Sequence, residues 1–301
     1  MVETDPDLTR RQHRNAVLLL CFCALLWSTA GVFTRQLERA ESFEVTFWRS
    51  FFCVLGVGAV LALRNRGNPI APMFAMGRAG LVSGLMWAIM FTCFMVALTR
   101  TTVANVLLVS SLSPFLSALL AWLVLGERIQ LKTGLAIVVA AFGIWWMVHD
   151  GVSAQGVAGM LIALGVPIAA AINLVTLRKM RARVDLAPAV LLGGLISCAA
   201  TLPSAWPLSA TINDLSILAL LGLFQLALPC VLMVRVARYL APQEIALIAL
   251  LEIVLGSLLA WAGAGEALSA ATLQGGAIVL AALMANELLP DWTSHTAVSS
   301  R

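Results

Sequence analysis

Read only as apolar and polar positions, the chain alternates long apolar runs with short polar breaks. Windows of about 20 apolar residues, the length that crosses a hydrocarbon core of about 30 Å as a helix, fall at ten places. They are 15–34, 42–63, 76–98, 102–125, 131–148, 156–177, 187–206, 214–235, 242–263 and 269–289. The breaks, such as 64–72, 126–132, 178–185 and 241–244, collect most of the charge, proline and glycine, and none is long enough for a soluble domain. The pattern predicts an all-α polytopic membrane protein with ten transmembrane helices, a polar N-terminal tail at 1–14 and a C-terminal tail at 290–301.

Composition narrows the class. Hydrophobic residues make up 61% of the chain and charged residues 11%, against about 25% charged in an average soluble domain. So few charges argue against a soluble enzyme, a disordered chain or a nucleic-acid binder. The net charge of +4 says less than where the charges lie. With the N-terminus inside, the alternating segments place 15 of the 19 Lys and Arg residues on the inner side. Only Arg35, Arg39, Arg49 and Arg100 fall outside. Such an asymmetry predicts both termini in the cytoplasm, and a miscounted span would have scrambled it.

The start of the chain, with Arg10, Arg11, His13 and Arg14, resembles the charged region of a signal peptide. The apolar run that follows, 16–33, is longer than a signal's apolar core and carries no evident small-residue cleavage site. It reads as a retained first span. All six cysteines lie in apolar stretches, where cysteine packs as a small hydrophobe.

An internal repeat organises the spans. Residues 119–127 read LLAWLVLGE and residues 258–266 read LLAWAGAGE, an offset of 139. The chain therefore divides into two units, 15–148 and 156–289, of five spans each. An odd number of spans turns the second unit upside down relative to the first, which predicts Glu127 on the cytoplasmic side and Glu266 on the outer side. Inverted repeats are the architecture of alternating-access secondary transporters, whose substrate site lies near the midplane between the halves.

The chemistry inside the spans is sparse. His13, His149 and His295 lie outside them, and every aspartate lies in a tail, a loop or a span end. No catalytic residue and no metal site is expected, since intramembrane hydrolysis needs ligands or paired acids at depth. No Gly-rich loop ends in Lys-Ser or Lys-Thr, so no ATP motor or other cofactor is expected.

Glu252 is the one acid near the middle of a span. A carboxylate there costs about 2.5–3.5 kcal/mol on insertion scales, so it should face a cavity or a partner. It is a candidate to bind a substrate ammonium or to carry a proton. Arg49, a few residues into the second span, is expected to play a structural part by sending its charge to the outer interface along its flexible stem, the alternative being that it counters a carboxylate.

Trp27 and Ser28, Trp87 with Phe91, and Ser110 and Ser111 with Ser113 lie at depth, as do the amides Asn173 and Gln225. Together they are expected to line one central chamber for an amphipathic solute. Pro114 frees backbone carbonyls that neighbouring serines or a cavity must satisfy. Pro167, in the sixth span, is expected to be a hinge or structural position.

The stretch ALTRTTVANVLLVSSLSPFLSALLAWLVLGERIQLKTGLAIVVAAFGIWWMV, residues 97–148, resembles the signature of EamA-type transporters of the drug/metabolite transporter superfamily. ALLWSTAGVFTR (24–35) and FWRSFF (47–52) fit it as well. Within the family the chain looks most like YddG-type exporters of aromatic and other neutral amino acids. It departs where second copies often carry Glu-Pro, since Glu252 precedes Ile253. The sixth span, GVPIAAAINLVTLRK, also lacks a frequent Trp.

The resemblance implies a secondary transporter of the bacterial inner membrane that exports small amphipathic metabolites, neutral and aromatic amino acids foremost. Its expected partners are a small-molecule substrate, membrane lipids and, through Glu252, protons. A monomer and an oligomer are both compatible with the sequence. The alternatives are efflux of drugs or toxic compounds and a non-transporting membrane scaffold.

Overall fold

The structure, a computed structural model, describes residues 6–65, 68, 70–149, 154–179, 186–236, 239–240 and 242–289. Among these residues ten helices are long and apolar enough to cross a membrane: α1 (Arg11–Thr34), α2 (Ser42–Arg64), α3 (Gly77–Leu98), α4 (Val103–Leu125), α5 (Leu131–His149), α6 (Ala154–Lys179), α7 (Ala187–Ala205), α8 (Ile212–Met233), α9 (Glu244–Ala264) and α10 (Ala270–Leu288). The expected spans are found within a few residues of their predicted limits. The protein is a multi-pass, all-helical membrane protein.

Exposed large hydrophobics, among them Leu55, Leu81, Val138, Phe142, Trp145 and Leu195, give the bundle an apolar outer face. Inside, α7 packs on α2 and α3, α6 on α3 and α4, α1 on α9, and α5 on α10. The helices from the first and second five spans are thus interleaved. Glycine permits the closest approaches, because an absent Cβ lets two backbones meet. At Gly193 a Cβ would stand 2.5 Å from the Trp87 Cβ, and at Gly222 2.6 Å from the Arg49 carbonyl oxygen.

Four spans are not regular α-helices. α1 turns at Thr29, α4 breaks at Ser111 and Leu112, α6 breaks at Leu164, and α8 is π-helical over Leu221–Ala227. Each irregularity lies at depth, where freed backbone groups must be satisfied within the protein. In α4 the partner is visible: Pro114 cannot donate to the Ser110 carbonyl, and Ser113 Oγ donates to it instead at 2.7 Å. Ser111 Oγ likewise donates to the Leu108 carbonyl at 2.7 Å.

The two ends of the bundle share a local motif. α4 ends in Gly126 and α9 in Gly265, both left-handed at φ 72° and 64°. Beyond them Glu127 N–H donates to the Ala121 carbonyl at 3.4 Å, and Glu266 N–H to the Ala260 carbonyl at 3.2 Å. A left-handed glycine closes a helix this way because it has no Cβ to clash.

Two buried carboxylates fasten the loops at the Glu266 end. Asp214, fully buried, accepts from the Thr211 backbone N–H, one half of a capping box, and from the N–H groups of Glu38, Arg39 and Ala40 at 2.7–3.2 Å. Glu44, 2% exposed, accepts from the Ser209 and Ala210 backbones, from Ser209 Oγ and from Trp48 Nε1.

Candidate functional site

A chamber of about 460 Å³ lies in the middle of the bundle, within the size range of small-molecule sites. Its walls combine Trp27 of α1, Arg49 of α2, Trp87, Phe91 and Phe94 of α3, and Ser110, Ser111, Ser113 and Pro114 of α4. From the second five spans come Gln225 and Cys230 of α8 and Leu250, Glu252 and Ile253 of α9. Glu287, one residue from the end of α10, and Met233, the last residue of α8, also line it. The chamber therefore reaches the end of the bundle that carries Glu127. Toward the Glu266 end its lining stops at Arg49, Phe94 and Leu107. Beyond them Val45, Leu98, Val103, Leu218 and Ala260 are buried in the largest core cluster.

Most of the expected residues come together here: Trp27, Trp87, Phe91, Ser111, Ser113, Gln225 and Glu252, with Pro114 at the α4 break. The hydroxyl protons of Ser111 and Ser113 are committed to backbone carbonyls, so these serines offer lone pairs to the interior. Glu252 and Ser113 stand at the repeat offset of 139 from each other, one in each five-span unit. The aromatic wall runs down one face of α3: Trp87 and Phe91 have ring centroids 5.5 Å apart, and Phe94 follows at i+3.

Three expectations are corrected. Ser28 is not on the chamber wall; it is 1% exposed, donates to the Leu25 carbonyl at 2.7 Å, and its backbone packs against Gly256 of α9. Asn173 is also absent from the lining, and its Oδ1 is buried without a hydrogen-bond partner among the described residues. Arg49 does not reach the outer interface. It is 3% exposed, because Glu44 seals the end of α2 under the Ser209–Ala210 loop and Gly222 brings α8 against its backbone. Pro167 is buried in α6, off the chamber, three residues beyond the break at Leu164.

Arg49 instead forms the polar floor. Its Nε and Nη2 donate to Gln225 Oε1 at 3.2 and 2.8 Å, and Gln225 Nε2 donates to the Trp27 carbonyl at 3.2 Å. Phe94 lies under the guanidinium, 5.9 Å from Cζ to the ring centroid. Glu252 is near enough for its charge to attract that of Arg49. The sequence reading missed Phe94, although the i, i+4, i+7 spacing of Trp87, Phe91 and Phe94 marks one helix face. Among the described residues no cluster of three His, Cys, Asp or Glu side chains could hold a metal ion.

A ten-helix membrane bundle with an apolar, aromatic chamber and a charged floor is the architecture of a solute-handling integral membrane protein. Residues 14–149 match the model of the EamA-like transporter family. The pseudopaline exporter CntI of Pseudomonas aeruginosa is 24% identical over 90% of this chain and 95% of its own length, in strains UCBPP-PA14 and PAO1 alike. An uncharacterized transporter of Archaeoglobus fulgidus is 25% identical over 91% of this chain and 97% of its own. A solved crystal structure shares the fold at a TM-score of 0.63 and 19% identity, covering 94% of this chain and 99% of that one.

Proposed function

We propose that the whole chain is an EamA-type secondary transporter that exports small amphipathic metabolites, neutral and aromatic amino acids foremost. It works by alternating access between two inverted five-helix units in a bacterial inner membrane, with both termini in the cytoplasm. The observation that carries this reading is the chamber itself. Both units contribute walls, Glu252 supplies a site for an ammonium or a proton, and the aromatic face of α3 supplies a surface for an apolar side chain.

The ion pairs at the two ends support the alternation. Arg35 of α1's C-terminal end pairs with Glu266 after α9 at 3.5 Å, and Arg178 of α6 pairs with Glu127 after α4 at 3.7 Å. Each pair joins one unit to the other, with the roles of the units exchanged. The partition of positive charge supports the orientation, and a relative named as an exporter supports the outward direction.

The test is export from proteoliposomes loaded with one labelled amino acid at a time. L-phenylalanine and L-leucine should leave faster than from protein-free vesicles, and Glu252→Gln should slow them. Efflux of cationic dyes without amino acids would favour the drug-efflux reading, which the aromatic wall and Glu252 also fit. No flux of either class would leave a scaffold.

A further inference from the structure

Arg49 is the basic group in the chamber, and the reading above leaves it unused. A guanidinium presents five N–H donors in a planar fork. Here Nε and Nη2 meet only the neutral Gln225 Oε1, and Nη1 donates to no described residue. No described carboxylate lies within ion-pair distance. A buried charge held by one amide is costly in a membrane and marks a ligand or a pathway.

Two further donors, Trp87 Nε1 and Ser110 Oγ, belong to chamber-lining residues, are buried, and find no hydrogen-bond partner among the described residues. Unspent donors thus accumulate beside a chamber whose other walls are largely apolar, with acids at Glu252 and Glu287. The Nε2 bond from Gln225 to the Trp27 carbonyl fixes which way its amide faces, so Oε1 holds one edge of the fork in place.

We propose that Arg49 is the carboxylate anchor of the chamber, oriented by Gln225, and that it selects solutes carrying a free carboxylate as well as an amine. The planar fork matches the two oxygens of a carboxylate, while Glu252 on the same chamber takes the ammonium. The inference rests on the chamber being the substrate site.

The test is equilibrium binding of L-phenylalanine, L-phenylalaninamide and phenethylamine to the purified full-length protein. The three probes share the aromatic group and the amine, and only the first has a carboxylate. The wild type should bind the acid at least about tenfold more tightly than the amide or the amine, as expected for a lost charge-assisted hydrogen bond. Arg49→Gln should bring the acid to the level of the amide while leaving the amide within about twofold, and Arg49→Lys should keep part of the preference. Gln225→Glu places a carboxylate of the chain on the anchor and should likewise remove the preference without removing the buried arginine.

Equal binding of acid and amide by the wild type overturns the anchor alone. So does an Arg49→Gln or Gln225→Glu protein that binds all three probes equally less well, since that is the mark of a structural role. Failure of the wild type to bind any probe overturns the chamber reading together with the anchor.

Discussion

The Glu127 and Glu266 ends of the bundle carry the same helix cap and surround it differently. At the Glu266 end the carboxylate side chain is only 12% exposed, pairs with Arg35 and accepts the Val103 N–H at 2.8 Å. Arg35 also donates to the Thr101 carbonyl at 2.6 Å, and Asn105 continues the network to Thr101 and Thr272. At the Glu127 end the side chains of Glu127 and Arg178 are 55% and 51% exposed, and the chamber extends to the neighbouring helix ends. One sequence motif therefore serves a packed end and an open one. The cap geometry is local and intrinsic, whereas the packing around it is set by which helix ends are gathered beside it.

The contrast is broken most directly by holding the packed end shut. A Cβ built at Gly263 of α9 would stand 3.8 Å from the Val32 Cβ of α1, near the mean separation in a disulfide. With the six native cysteines replaced, Val32→Cys with Gly263→Cys should cross-link on oxidation. Export from proteoliposomes should then fall to background and return on reduction. Unaltered export with the cross-link formed would show that this end need not open.

Charge removal should give a smaller and unequal effect. Glu266→Ala leaves Arg35 and the Val103 N–H short of an acceptor and should cost about 2 kcal/mol. Glu127→Ala breaks an exposed pair and should cost no more than about 0.5 kcal/mol. Unfolding in detergent, followed by loss of helical signal, measures both; equal losses would refute the asymmetry.

The smallest expected difference is at the caps. Gly126→Ala and Gly265→Ala each force a Cβ into left-handed backbone and should each cost about 1 kcal/mol. The same unfolding assay should find them within experimental scatter of each other. A clear gap would mean that the caps themselves, and not only their surroundings, differ.

The spans were legible because a membrane imposes one length and one polarity on every helix, so Leu131–His149 or Ala270–Leu288 can be marked with no knowledge of neighbours. Side-chain roles depend on neighbours and were less legible. Ser28 reads as a polar group at depth, yet a hydroxyl on a helix can satisfy itself on its own backbone, here at Leu25. Arg49 reads as a residue near an interface because its distance along α2 is visible, while the loop and helix that cover it come from residues 209–222, far along the chain. Asp214 was visible as a span-end acid, and the Thr211-x-x-Asp214 spacing is a capping signal. That it also gathers three backbone N–H groups from the α1–α2 connection follows only from the fold.

The π-helical stretch of α8 has a consequence for how the span can vary. Gln225 and Cys230 both line the chamber, although five residues of ordinary α-helix would set them about 140° apart around the axis. The wider turn over Leu221–Ala227 acts as a phase shifter, adding one residue to the count and restoring the face. Removing a single residue there would shorten the span by only about 1.5 Å, yet would swing Cys230 and Met233 by about 100° toward the neighbouring helices. In this segment length tolerates change and phase does not, so insertions and deletions should be selected in whole turns.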